Sequence, residues 1–195
     1  EAYYDLQVQL HAGEIARDYV VLCHGWSPPE LQEINAPVYW RGEQPTSSGV
    51  QGKPSRTKLK VMAHVLHEGD ALSLIAIRIA TGRRHQIRSH LSHFGHPLVL
   101  DGTYTVFATY QSDLNWCSQN FLHRYRLTFR AMGGIACEAM EPVPPNLIST
   151  LRKVAARDIK SAGAVHLWLS GLGPRDWKDY IPLKGYGNRT GDGVQ

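Results

Sequence analysis

Two runs of β-forming residues, TKLKVMAHVL at 57–66 and LSLIAIRI at 72–79, are separated only by a turn built on EGD at 68–70. So short a connection favours an antiparallel pair. The second run breaks at Thr81-Gly82, and RRHQIRSHLSHFGHP follows. There Ile87, Leu91 and Phe94 fall at i, i+4 and i+7, one face of a helix. The helix is expected to start near Arg84 and to close at Gly95 and Pro97. Strands joined by short turns and mixed with helices argue an α+β domain, with a mixed, largely antiparallel sheet and flanking helices.

The remaining punctuation fills in the order. Residues 1–12 are expected to be helical up to Gly13, and 16–25 (ARDYVVLCHG) to form a strand ending at Gly25. Residues 27–56 are rich in Pro, Gly and Ser, a long loop excursion with one short strand expected at Val38–Trp40. YRLTF within 116–130 and Cys137–Met140 are further strands. NLISTLRKVAARDIKS at 146–161 has the pattern of one amphipathic helix, within a C-terminal helical extension at 148–181. The tail at 182–195 is expected to be disordered.

Charge is distributed unevenly. Lys and Arg number 21 against 17 Asp and Glu. Between Arg78 and Leu100 stand four arginines (Arg78, Arg83, Arg84 and Arg88) and no acid, which accounts for the whole excess. Such a concentration suits a polyanion. A helix that starts after a glycine turn also presents unpaired backbone N–H groups to an anion. Arg84 and Arg88, four apart, are expected on one helix face. Arg88, between the core positions Ile87 and Leu91, is expected to be partly desolvated and therefore to have a fixed acidic partner from elsewhere in the fold.

Other chemistries lack their patterns. There is no GxSxG, P-loop or GxGxxG, so neither a serine nucleophile nor a nucleotide cofactor is expected. His85, His90, His93 and His96 invite a metal reading. No carboxylate accompanies them and the arginines would repel a divalent cation, so no metal is expected. Cys23, Cys117 and Cys137 make no disulfide framework, which favours an intracellular, reducing compartment. No run approaches the ~18 apolar residues of a membrane span.

TGRRHQIRSHLSHFGHPLVLDGTY resembles the central motif of the RluA family of RNA pseudouridine synthases. Arg17-Asp18-Tyr19 through Gly25, Lys53-Pro54 with Thr57, Phe121-Leu122-His123 with Leu127 and Phe129, and Glu141 through Leu147 resemble its other motifs, in the family's order. The resemblance covers about 10–147 and makes 1–147 part of a catalytic domain. It implies isomerisation of uridine to pseudouridine in ribosomal, transfer or messenger RNA, without a cofactor and by a monomer. Arg88 and Tyr19 would be the catalytic positions. Tyr19 would pack on one face of the uracil and Ile87 on the other, and Arg88 would pair with the family's catalytic aspartate. Arg83, Arg84, His85 and Gln86 would complete the substrate side.

That aspartate lies in an HRLD block about 30 residues before the Tyr19 position, which would fall upstream of Glu1. No HRLD occurs in residues 1–195. Asp18 is expected to face away from Tyr19, and Asp101 matches a different position, taken as a turn. The chain is thus expected to be a portion of a longer protein, unable to isomerise uridine alone and with an exposed sheet edge. A non-catalytic RNA-binding pseudoenzyme of the same fold is the alternative. Leu100 stands where the family's motif has Gly, so a different turn is expected there.

Overall fold

A computed structural model describes residues 1–42, 46–48, 50, 52–131, 133–171 and 176–185. Helix α1 (Ala2–Ala12) precedes strand β1 (Ala16–His24). Gly13 ends α1 in the left-handed conformation, φ 72°, as a glycine does without steric cost. The excursion carries three short strands, β2 (Glu33–Asn35), β3 (Val38–Tyr39) and β4 (Ser47–Ser48), where one was expected. The hairpin follows as β5 (Arg56–His67) and β6 (Asp70–Ile79). Then come α2 (Gln86–His93), α3 (Phe107–Leu114), β7 (Leu122–Arg130) and β8 (Ala136–Met140).

Among the described residues the main sheet runs β2-β5-β6-β1-β7-β8, and every pairing is antiparallel. The fold class is therefore the one expected. Alternation along the strands gives the sheet two apolar faces. Tyr19, Val21 and Cys23 of β1, with Ile75, Ile77 and Ile79 of β6, pack on the front against Ile87 and Leu91 of α2. Val20, Leu22, Leu72, Leu74 and Ala76 pack on the back. In β5, Leu59 and Val61 belong to the front cluster but Ala63 and Val65 to the back, at the same sequence parity. A bulge between Val61 and Ala63 switches the faces.

The expected helix at 146–161 is two. Helix α4 (Pro145–Leu151) and helix α5 (Ile159–Leu169) are separated by strand β9 (Ala155–Ala156), which pairs with Val65 and Leu66 of β5. The Asp158 carboxylate accepts the Ser161 N–H and starts α5 afresh, a local cap that overrides the helical periodicity. Leu147, Leu151, Val165 and Trp168 cover the back face, joined by Tyr180 beside a 3-10 turn at Trp177–Asp179. Residues 182–185 have no regular structure, and the rest of the expected tail lies outside the described residues. The outer edge of β5 is closed by β2, by the Leu183 N–H donating to Val61 O, and by β9. β8 pairs on one side only.

Asp18 faces away from Tyr19, as expected, and is fully buried. Its carboxylate accepts from Arg78 Nε at 2.6 Å and Nη2 at 2.7 Å, and from Arg126 Nη1 at 3.1 Å. Arg78 thus leaves the basic face predicted for it and serves the back of the sheet. Removing a charge from a buried cluster leaves its partners uncompensated. Asp18→Asn should destabilise the fold by about 3 kcal/mol, read as a lower urea midpoint; an unchanged midpoint contradicts this account.

Candidate active-site cleft

The candidate site is built where α2 leaves the sheet. A Cβ at Gly82 would meet the end of the Arg17 side chain, whose guanidinium donates to Ala80 O, and would push it aside. His85 takes φ 51° and caps α2, so the helix starts at Gln86, two residues after the expected start. Arg84 lies outside it, and the expected shared face with Arg88 does not form. Phe94 is the C-cap and is exposed, so only Ile87 and Leu91 of the predicted stripe are in the core.

Gln86 is 2% exposed. Its Oε1 accepts from Thr81 Oγ1 and the Arg83 N–H, and its Nε2 donates to Arg56 O and Thr57 Oγ1. Two acceptances and two donations are a primary amide's full complement. This corrects the substrate-contact expectation: Gln86 pins the turn and β5 to α2. It also occupies the Arg83 N–H. The chain continues through Thr57 to His90, whose other ring nitrogen donates to Ala36 O.

Arg88 has the fixed partner that its position demanded, but the partner is Asp101, within this chain. Nε donates to Asp101 Oδ2 at 2.7 Å and Nη2 to Oδ1 at 2.5 Å. The Asp101 side chain is fully buried, and that of Arg88 is 20% exposed. The sequence signal that would have found it is Asp101-Gly-Thr, an aspartate whose own side chain accepts a backbone N–H two residues on, here that of Thr103. Pro97 and Val99 pair with the end of β1, returning the chain after α2. Leu100 then adopts φ 56° and turns Asp101 inward. The turn is left-handed as a glycine's would be, with leucine paying the strain.

Arg88 Nη1 also donates to His85 Nε2 at 3.0 Å. Guanidinium nitrogens only donate, so Nε2 accepts and the proton sits on Nδ1, which faces the Tyr104 hydroxyl at 3.2 Å. The Tyr104 ring lies 5.1 Å beneath the Arg88 guanidinium. Among the described partners, one N–H on each terminal nitrogen of Arg88 is uncommitted. Tyr19 is half-buried against the cluster that contains Ile87. Tyr19 and Ile87 thus share the front-face cluster, while His85, Asp101 and Tyr104 gather around Arg88. Arg83 and Arg84 are exposed beside them.

The four histidines diverge: His85 to Tyr104, His90 to Thr57 and Ala36, His93 to the surface, and His96 to His24 O. Among the described residues, no three His, Cys, Asp or Glu side chains gather as metal ligands. Burial pushes the Cys23 thiol up to about 12, so it is unreactive at neutral pH.

Desolvation lowers the pKa of His64, His85 and His90, and Arg88 and Arg84 lower that of His85 further. Folded values below the unfolded ~6.5 mean that the unfolded chain binds more protons on acidification. The stability tied to these neutral rings is complete above about pH 6.5 and is lost as pH falls through the folded values. The urea midpoint should drop between about pH 7.5 and 5, less so in His90→Gln; a flat profile contradicts this.

Residues 1–93 match the family model described as RNA pseudouridylate synthase. The chain is 33% identical over 103 residues to ribosomal large subunit pseudouridine synthase C of Yersinia pestis, covering 51% of this chain and 31% of that protein. It is 32% identical over 160 residues to an uncharacterized RNA pseudouridine synthase of Chloroflexus aurantiacus, covering 80% and 48%. The chain thus spans a third to a half of the length of these curated relatives. The fold matches the structure of human RNA pseudouridylate synthase domain containing 1, with TM-score 0.63 and 23% identity, over 84% of this chain and 70% of that one. Together with the ordered motifs, these matches make the chain similar to a portion of the RluA-type RNA pseudouridine synthases.

Proposed function

We propose that residues 1–147 form the uridine-binding wall of an RNA pseudouridine synthase. Tyr19 and Ile87 flank the extruded uracil, and Arg88 holds the carboxylate that initiates the exchange of the glycosidic bond from N1 to C5. Duplex bases are unreachable in place, so the substrate base must leave its stack. The observation that carries the reading is Arg88: nearly buried, clamped by Asp101 and His85, with an N–H on each terminal nitrogen still to donate. An arginine so held can ion-pair a second carboxylate in a low-dielectric cleft and keep it ionised.

Asp101 is not that carboxylate in this reading. It is wholly buried, and both of its oxygens are engaged by Arg88. Turnover is therefore assigned to a polypeptide that also supplies the HRLD aspartate. The second reading, RNA binding without turnover, draws on the same pair, since Asp101 already neutralises Arg88 within this chain.

Rejoining through C5 expels the C5 hydrogen, so RNA tritiated at uridine C5 reports turnover directly. In a polypeptide that includes HRLD, Arg88→Ala should reduce tritium release at least ~100-fold, the scale of a lost preorganised charge interaction, with RNA affinity nearly unchanged. Release at the unsubstituted rate would remove Arg88 from the mechanism. In the chain itself, Arg83→Gln with Arg84→Gln should weaken RNA binding and reduce the slope of log K against log salt by about 1–2. An unchanged slope argues against phosphate contacts at these positions.

A further inference from the structure

The excursion folds back over the start of α2 and is latched there at several points. Val38 and Lys53 exchange backbone hydrogen bonds at 2.9 and 3.0 Å. That approach requires Gly52, since a Cβ would lie 2.5 Å from the Val38 carbonyl carbon. Ala36 O accepts from His90, and Ser48 Oγ donates to Ser89 Oγ at 3.4 Å. Val38 is buried. The β3–β4 ribbon is therefore held against α2.

Directly after this anchored segment comes Trp40, 48% exposed. The Arg84 guanidinium lies 4.7 Å from its ring centroid, and Arg84 Nη1 also donates to Gly42 O. Arg41 and Arg83 beside them are exposed. Arg84 adjoins His85, which bonds Arg88, so these residues and the candidate site share one continuous run of chain. A half-exposed indole capped by an arginine, directly after an anchored ribbon and beside two more exposed cations, combines a stacking surface with a backbone-neutralising one. That combination is what an unpaired stretch of nucleic acid recognises.

We propose that Trp40, clamped by Arg84, is a stacking platform for an unpaired nucleobase neighbouring the one that enters the cleft, with Arg41 and Arg83 meeting the adjoining phosphates. The excursion then sets which single-stranded context is accepted. This rests on the RNA reading above and adds to it a residue that the family's motifs do not contain.

The test uses the chain itself with three probes: a single-stranded uridine-containing oligoribonucleotide, the same sequence fully paired, and heparin as a polyanion without bases. Trp40→Ala should weaken single-strand binding about tenfold, as loss of one stacked base does. Its affinities for heparin and the duplex should stay unchanged, and Trp40→Phe should restore most of the loss. If Trp40→Ala binds the single strand as tightly as the unsubstituted chain, the platform is refuted while RNA binding stands. An equal loss on heparin would show that the indole merely holds Arg84, which also refutes it. If the unsubstituted chain binds neither RNA, the RNA reading fails and the platform with it.

Discussion

The Arg88–Asp101 pair is the constraint around which the front of the molecule is organised. Taking both charges out of water costs several kcal/mol per ion unless geometry and further hydrogen bonds offset it. Here the offsets are visible. The carboxylate accepts two guanidinium N–H groups and a backbone N–H, and a third guanidinium nitrogen donates to His85. That last bond chooses the histidine tautomer and so orients the Tyr104 hydroxyl. A left-handed leucine typically costs about 1–2 kcal/mol. Leu100 tolerates it because its own amide donates to Asp113 Oδ2 at 2.6 Å, its side chain is in the core, and its turn delivers Asp101. The strain and the pair belong to one device.

The sheet supplies the platform for that device, and its two faces have separate duties. The front carries α2 and the excursion; the back carries α4, α5 and the segment around Tyr180. Two aspartates with no exposed surface, Asp101 and Asp18, each neutralise arginine. The C-terminal segment is part of this arrangement, because Leu183 and β9 close the edge of β5 that would otherwise be open to another chain. Arg78 and Lys60 both lie over the Trp177 ring, so the back face is closed by aromatic contacts to cations as well as by apolar packing.

The parts of the fold governed by local chemistry were legible in the residues. The β5–β6 hairpin follows from EGD, α1 ends at its glycine, and β1 runs to His24. What the residues concealed was decided by distant partners. α3 has no apolar stripe, because its buried residue is Asp113, held by His24 and the Leu100 N–H. The break at 152–158 arises because β5 draws Ala155 and Ala156 into the sheet. Tyr19, Ile87 and Arg88 could be located by motif. Asp101 could not be assigned by helix periodicity, since it reaches Arg88 only after the chain turns back beside β1. Gln86 sits in the same motif as the site residues, yet its hydrogen bonds make it part of the frame.

The arginines of the 78–88 stretch show why a charge count and a charge field are different quantities. Arg78 and Arg88 each sit in a bidentate contact with a buried carboxylate. At distances beyond the pair separation such a unit acts as a dipole, and its influence fades faster than that of a monopole. Arg83 and Arg84 have no carboxylate partner among the described residues. Their potential extends over the ~8–10 Å that salt permits. Among the described residues of this stretch, the unpaired positive charge therefore gathers at the surface and the paired charge stays inside. One run of eleven residues holds both buried, paired arginines and exposed ones because β6, a left-handed His85 and α2 point its four guanidinium groups in different directions.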